Sequence, residues 1–119
     1  MPLSLLIVDD HEGFRGLARS LLSAQGFEVA GEAEDGESAL AEVERLHPDV
    51  VLLDVQLPGI DGFEVAQRIH DGSAGACVVL TSSREARDYG ERLQRSPARG
   101  FIAKQDLSGT ALAALVSMH

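Results

Sequence analysis

The stretch VVLLDVQLPGIDGFE, residues 50–64, carries the decisive pattern. Four branched apolar residues in a row read as a strand buried on both faces, the habit of parallel sheets covered by helices. The run ends on a carboxylate, Asp54, and Pro58, Gly59 and Gly62 then mark a turn. An ionised carboxylate at the mouth of a buried strand is unfavourable unless it is paired or used. Asp54 is the residue to explain.

Working outward, LSLLIV (3–8), CVVLT (77–81) and the short GFIA (100–103) repeat the apolar strand pattern, while FEVAGEAE (27–34) is half polar and suits a sheet edge. Helical spacing fills the gaps. Phe14, Leu17, Ala18, Leu21 and Leu22 form one inward face, closed by Gly26. Asp35-Gly36 opens a second helix with Leu40, Val43 and Leu46 inward, stopping before Pro48. Phe63, Ala66 and Ile69 line a third, which runs out near Asp71-Gly72. Residues 84–95 read as a polar, weakly patterned helix containing Gly90, and Leu107, Ala111, Leu112, Leu115 and Val116 face inward from the last. Five strands alternating with five helices predict a doubly wound parallel α/β sheet, helices on both faces, with the three most apolar strands central.

Bulk properties narrow the function. The 119 residues suit one domain, 1–119, with no linker, repeat or low-complexity tract, and 45% hydrophobic residues suffice for a core. A net charge of −9 repels nucleic acid, and 4% aromatics leave few surfaces for base stacking. The lone Cys77 cannot form an internal bridge and lies in an apolar run, as expected of a core thiol in a reducing compartment. No apolar run approaches the ~20 residues of a membrane span, and the start is not a signal peptide. A cytoplasmic location is expected.

In an open parallel sheet the C-terminal strand ends share one edge, where ligands bind. The first strand here ends on Asp9 and Asp10, the third on Asp54, the fourth on Thr81 and Ser82, and the last on Lys104. Alone, each has a bland reading: a strand-end Asp is usually a turn or cap residue, and a lysine a solvated one. Together they predict three carboxylates, a hydroxyl and an ammonium at one spot. Lys104 offsets one of three negative charges, and a hard divalent cation such as Mg²⁺, which favours a few carboxylates plus waters and phosphate oxygens, would offset the rest. Asp54, opposite the acidic pair, is the nucleophile candidate, able to carry a phosphoryl group as an acyl phosphate. Lys104 and the Thr81 hydroxyl would contact phosphoryl oxygens. His11 reads as a helix-start residue without metal-ligand spacing.

LLIVDDHEGFR, VVLLDVQLPGIDGFE, VVLTSS and GFIAK, in this order and across almost the whole chain, resemble the receiver domain of two-component response regulators. The resemblance implies a flavodoxin-like sheet of strand order 2-1-3-4-5. It implies that Asp54 accepts a phosphoryl group from a sensor histidine kinase or phosphotransfer protein. Asp10, Asp54 and the backbone carbonyl of Gln56 would bind Mg²⁺, with Asp9 acting through water. Thr81 and Phe101 match the family's switch pair, and Gln56 and Ser83 would flank the water that later hydrolyses the phosphoryl group. Such a domain is a signalling module rather than an enzyme, acting only on its own phosphorylation state. Its fourth-helix, fifth-strand and fifth-helix face would then control an output partner or a second copy of the chain.

Two departures stand out. Gln105 replaces the proline that often follows the family's lysine in a cis peptide, and a cis bond there would cost ~3 kcal/mol. Phe101 replaces the more usual tyrosine and offers no hydroxyl. DDH and AKQDLSGTAL look most like receivers that carry a helix-turn-helix output domain, none of which lies in this chain; a stand-alone receiver and a cut piece both remain open. Competing readings are a receiver-like interaction domain independent of phosphorylation, a Mg²⁺-dependent phosphatase of the haloacid dehalogenase type, and a flavodoxin-like cofactor binder. Gln56 stands where the phosphatase needs a second acid, and DDHEG would repel a cofactor phosphate.

Overall fold

The computed structural model describes residues 2–72 and 75–116. Five parallel strands, β1 (Ser4–Val8), β2 (Glu28–Ala33), β3 (Val50–Asp54), β4 (Cys77–Ser82) and β5 (Gly100–Ala103), form one sheet in the order β2-β1-β3-β4-β5. The most apolar strands are the inner ones and half-polar β2 is an edge, as their patterns require. All five residues of β3 are buried, its terminal Asp54 included.

Helices α1 (Glu12–Ala24), α2 (Gly36–Leu46), α3 (Gly62–Asp71), α4 (Glu91–Arg95) and α5 (Gly109–Val116) cover the two faces. On one face Leu6, Val8, Val51, Leu53 and Leu80 pack with Ala39, Val43, Phe63 and Ile69. On the other Leu5, Ile7, Val50, Leu52 and Val79 pack with Ala18, Leu22 and Leu112. Alternate residues of each inner strand serve opposite faces, so a continuous apolar run is needed. No helix among the described residues is long and apolar enough to cross a membrane.

Two sequence expectations need correction. Leu17 does not face the core: it is 65% exposed. It sits about 100° round α1 from Ala18, which with Leu22 defines the buried stripe. Residues 84–95 are not one helix. A 3-10 turn, Ala86–Asp88, and the five-residue α4 are separated at Gly90, whose φ of 55° and ψ of −129° lie outside helical space. Neither piece has a fully buried residue, and the partly buried Leu93 alone does not enforce a continuous helix.

The loop after β3 folds back tightly. Val55 N–H donates to Thr81 O, and Gly62 N–H donates to Val55 O. A Cβ at Gly62 would lie 2.3 Å from the carbonyl oxygen of Asp54, so this return needs a glycine. The fold thereby pins the start of α3 beside the end of β3.

Candidate functional site

The strand ends meet as the topology requires. Asp9 and Asp10 follow β1, Asp54 ends β3 and Thr81 lies in β4. Asp54 is in register with Thr81, Thr81 with Ile102, and Lys104 follows β5 directly. Asp9 is fully buried, Asp54 is 2% exposed and Asp10 lies at the rim.

Lys104 is the central counter-charge. Its Nζ lies 2.6 Å from Asp9 Oδ2 and 3.3 Å from Asp54 Oδ2, with the ring of Phe14 4.4 Å away. The ion pair with Lys104 is the polar contact of the buried Asp9 Oδ2, which accepts no hydrogen bond of good geometry. Asp9 Oδ1 accepts from His11 N–H at 2.8 Å, and Asp54 Oδ1 accepts from Gln56 N–H at 3.0 Å. Arg15, held by Glu32, donates to the Asp9 carbonyl.

The two buried carboxyls are driven apart. Burial disfavours charge on Asp9, but the Lys104 ammonium and the His11 N–H outweigh it and hold its pKa below the usual range. Burial pushes Asp54 up to about 6, opposed by the Gln56 N–H and reinforced by the charge on Asp9. Burial would lower the Lys104 pKa, yet the two carboxylates leave it raised. The cleft is short of positive charge.

His11 belongs to this cluster more fully than a helix-start residue need. It is the N-cap of α1 without a side-chain cap hydrogen bond, and its Nδ1 lies 3.0 Å from Asp9 Oδ1 and 3.1 Å from Asp10 Oδ1. Ligand atoms of Asp9, Asp10, His11 and Asp54 all fall within 4.8 Å of one another, close enough to hold one metal ion. The signal for the histidine lies in its adjacency to the two acids of DDH; only Asp54 joins the cluster from another strand end.

Thr81 and Phe101 are neighbours but do not reach the carboxylates. The Thr81 hydroxyl, fully buried, donates to the Ile102 carbonyl at 2.6 Å. Phe101 is half-buried, its ring 6.0 Å from that of Tyr89. Tyr89 also packs edge-on against Phe63 at 5.6 Å and shares a 2.6 Å hydrogen bond with the Ser82 hydroxyl. No periodicity marks Tyr89, which sits in a stretch without core spacing. Gln56 and Ser83 lie exposed at the rim, and no peptide bond among the described residues is cis.

A five-stranded, doubly wound parallel sheet with two buried carboxylates, a third at the rim and a lysine at its C-terminal edge defines a flavodoxin-like α/β domain with an acidic cluster able to hold a metal ion. The response regulator receiver domain model matches residues 5–116, and the chain belongs to that family of two-component signalling domains. Response regulator GacA of Pseudomonas syringae pv. syringae is 36% identical over 115 residues, 96% of this chain and 52% of that protein. The DNA-binding transcriptional activator EvgA of Escherichia coli K12 is 29% identical over 113 residues, 95% of this chain and 55% of that protein. The chain thus spans about half the length of the curated relatives it matches. The signal receiver domain of the putative response regulator NarL from Mycobacterium tuberculosis superposes with a TM-score of 0.88 at 31% identity, covering 99% of this chain and 98% of that one.

Proposed function

We propose that this domain, as one unit over 1–119, receives a phosphoryl group on Asp54 and relays that event to an output partner. The observation that carries the reading is the environment of Asp54. It is 2% exposed, 3.3 Å from Lys104, and clustered with Asp9 and Asp10 at the ligand-binding edge of the sheet. Burial beside a lysine in an acidic cleft that pushes its pKa up is the environment of a reacting carboxylate.

In the transfer, an Asp54 carboxylate oxygen forms a bond to phosphorus as the bond from phosphorus to the donor's imidazole nitrogen breaks. The electron pair leaves with the imidazole, which then takes a proton from water. Lys104 already faces Asp54 Oδ2 and is placed to contact a phosphoryl oxygen once it forms. The Thr81 hydroxyl would turn from the Ile102 carbonyl toward the same group. Phe101 would then adjust beside it. Gln56 and Ser83, at the rim, would tune the approach of the hydrolytic water.

The donor set fits Mg²⁺: hard oxygens from two strand ends, crowded, with one lysine to balance them. Asp10, Asp54 and the Gln56 backbone carbonyl would hold the ion, with Asp9 acting through water. When bound, Mg²⁺ would supply charge neutralisation for the carboxylates and the incoming phosphoryl oxygens.

The donor would be a sensor histidine kinase or phosphotransfer protein. The receiver of the signal would be an output domain, of DNA-binding type by analogy with EvgA, or a second copy of the chain. The acidic surface argues against nucleic-acid contact by this domain, and the reduced Cys77 suits a cytoplasmic setting. Intact-mass measurement after incubation with a small acyl phosphate and Mg²⁺ should show one added phosphoryl group in the parent and none in Asp54→Asn. Equal labelling of both would overturn the assignment.

A further inference from the structure

The segment between β4 and β5 has no fully buried residue, though Leu93 and Ala98 pack partly on the core and Arg84 N–H donates to the Ser82 hydroxyl at 3.1 Å. Arg92 pairs with Asp61 at 2.6 Å and lies 4.5 Å over the Phe63 ring, and Gln105 donates to Glu85 at 2.8 Å; these tethers are solvent-exposed. Tyr89 differs. Its ring wedges between Phe63 of α3 and Phe101 of β5, and its hydroxyl reaches Ser82, which is fully buried at the end of β4. Gly90 follows at once, in a backbone conformation that lets the chain pivot.

From this geometry we infer that Tyr89 is a latch: its hydrogen bond to Ser82 holds residues 84–95 against the sheet and is released when the end of β4 moves. Phe101 lacks a hydroxyl, so the aromatic hydroxyl of this region comes from Tyr89 instead. Thr81 and Ser82 are successive in one strand and so point to opposite faces. Thr81 faces the acidic cleft through its register with Asp54, while Ser82 serves the face carrying Tyr89, Leu80 and Phe101. A turn of Thr81 away from Ile102 toward a charged Asp54 shifts the strand end. Ser82 moves with it, and a 2.6 Å bond tolerates little displacement. Signal passes from cleft to surface through one backbone step, and the freed segment uncovers Phe63 and Phe101. The release step rests on the proposed phosphorylation of Asp54; the latch itself does not.

Hydrogen exchange on the unphosphorylated protein tests the latch first. Tyr89→Phe keeps the ring and removes only the hydroxyl, and should speed amide exchange in residues 84–95 about fivefold to tenfold. Ser82→Ala also removes the 3.1 Å hydrogen bond that Arg84 N–H donates to the same hydroxyl, so it should speed exchange at least as much, and the double variant should be no faster than Ser82→Ala alone. Unchanged exchange in Tyr89→Phe overturns the latch, whatever happens at Asp54. The release is then read from fluorescence, because the chain has one tyrosine and no tryptophan. Once intact mass shows the parent phosphorylated, its tyrosine emission should change, and Asp54→Asn given the same acyl phosphate and Mg²⁺ should show no change. A phosphorylated parent with unaltered emission overturns the release. Absence of phosphorylation defeats the functional reading instead, and leaves the exchange result standing.

Discussion

Helix α1 and the segment from Ala86 to Arg95 follow two of the strands that end at the site, β1 and β4, yet they are built by different means. α1 runs 13 residues, with Ala18 and Leu22 fully buried where the helix packs on β1 and β2. The other segment manages a 3-10 turn and five helical residues, none of them buried. The first is held by area removed from water, which is non-directional and cooperative with the core. The second is held by particular bonds: Tyr89 to Ser82, Arg92 to Asp61, Gln105 to Glu85. A wall secured by burial keeps the carboxylates in place. A wall secured by single bonds can be released by one, as low local stability allows.

Core truncation should separate the regions most sharply. Leu53 is fully buried in β3, and Leu53→Ala should lower stability by about 2–5 kcal/mol through lost transfer energy and a cavity. Leu93 in α4 is only partly buried, and Leu93→Ala should cost less than about 1 kcal/mol. Urea unfolding of the two variants measures both. Comparable losses would mean that α4 is as integral to the core as β3.

Next in size is the effect of the buried charge itself. The Asp54 carboxyl titrates at about 6 in the fold, against the usual 3.8. Between those values the folded chain holds a proton that the unfolded chain has lost, so stability falls as pH rises through that window. Above it the penalty is fully present. Asp54→Asn, without metal, should therefore be more stable than the parent at pH 7–8 by up to about 3 kcal/mol, with the gain shrinking toward pH 4. Thermal melts across that range check it. A variant less stable than the parent at pH 8 would show that the Lys104 pair outweighs desolvation.

Legibility in the sequence followed the same divide. VVLLD announced β3 and its odd terminal acid because a two-sided strand leaves no freedom in its pattern. The strand ends then placed Asp9, Asp10, Asp54, Thr81 and Lys104 at one edge by topology alone. Leu17 misled because a five-residue apolar set on α1 is wider than the stripe the sheet can bury. Residues 84–95 misled further: with only Tyr89 and Leu93 partly packed on the core, Gly90 decides the local path and a continuous helix does not form. Tyr89 owes its place to contacts across elements, with Ser82, Phe63 and Phe101, whereas His11 reaches back only to Asp9 and Asp10 just before it. No periodicity encodes those.

The smallest effect compares one substitution in both walls. Gly16 lies inside α1, and a Cβ there would meet nothing within 4 Å. Gly16→Ala should raise stability by roughly 0.5–1 kcal/mol, because alanine loses less backbone freedom on entering a helix. Gly90 is equally open around its Cβ, but its φ is +55° with ψ at −129°. An alanine is strained there, so Gly90→Ala should lower stability by about 1 kcal/mol unless the segment refolds around it. Neither change alters a contact, so the difference in sign isolates backbone conformation from packing. Paired urea titrations read it directly. If Gly90→Ala is neutral while exchange in residues 84–95 rises, the segment has traded its turn for another path, as a wall held by single bonds can. If it is neutral with exchange unchanged, the turn at Gly90 is not a constraint, and the contrast with α1 rests on burial alone.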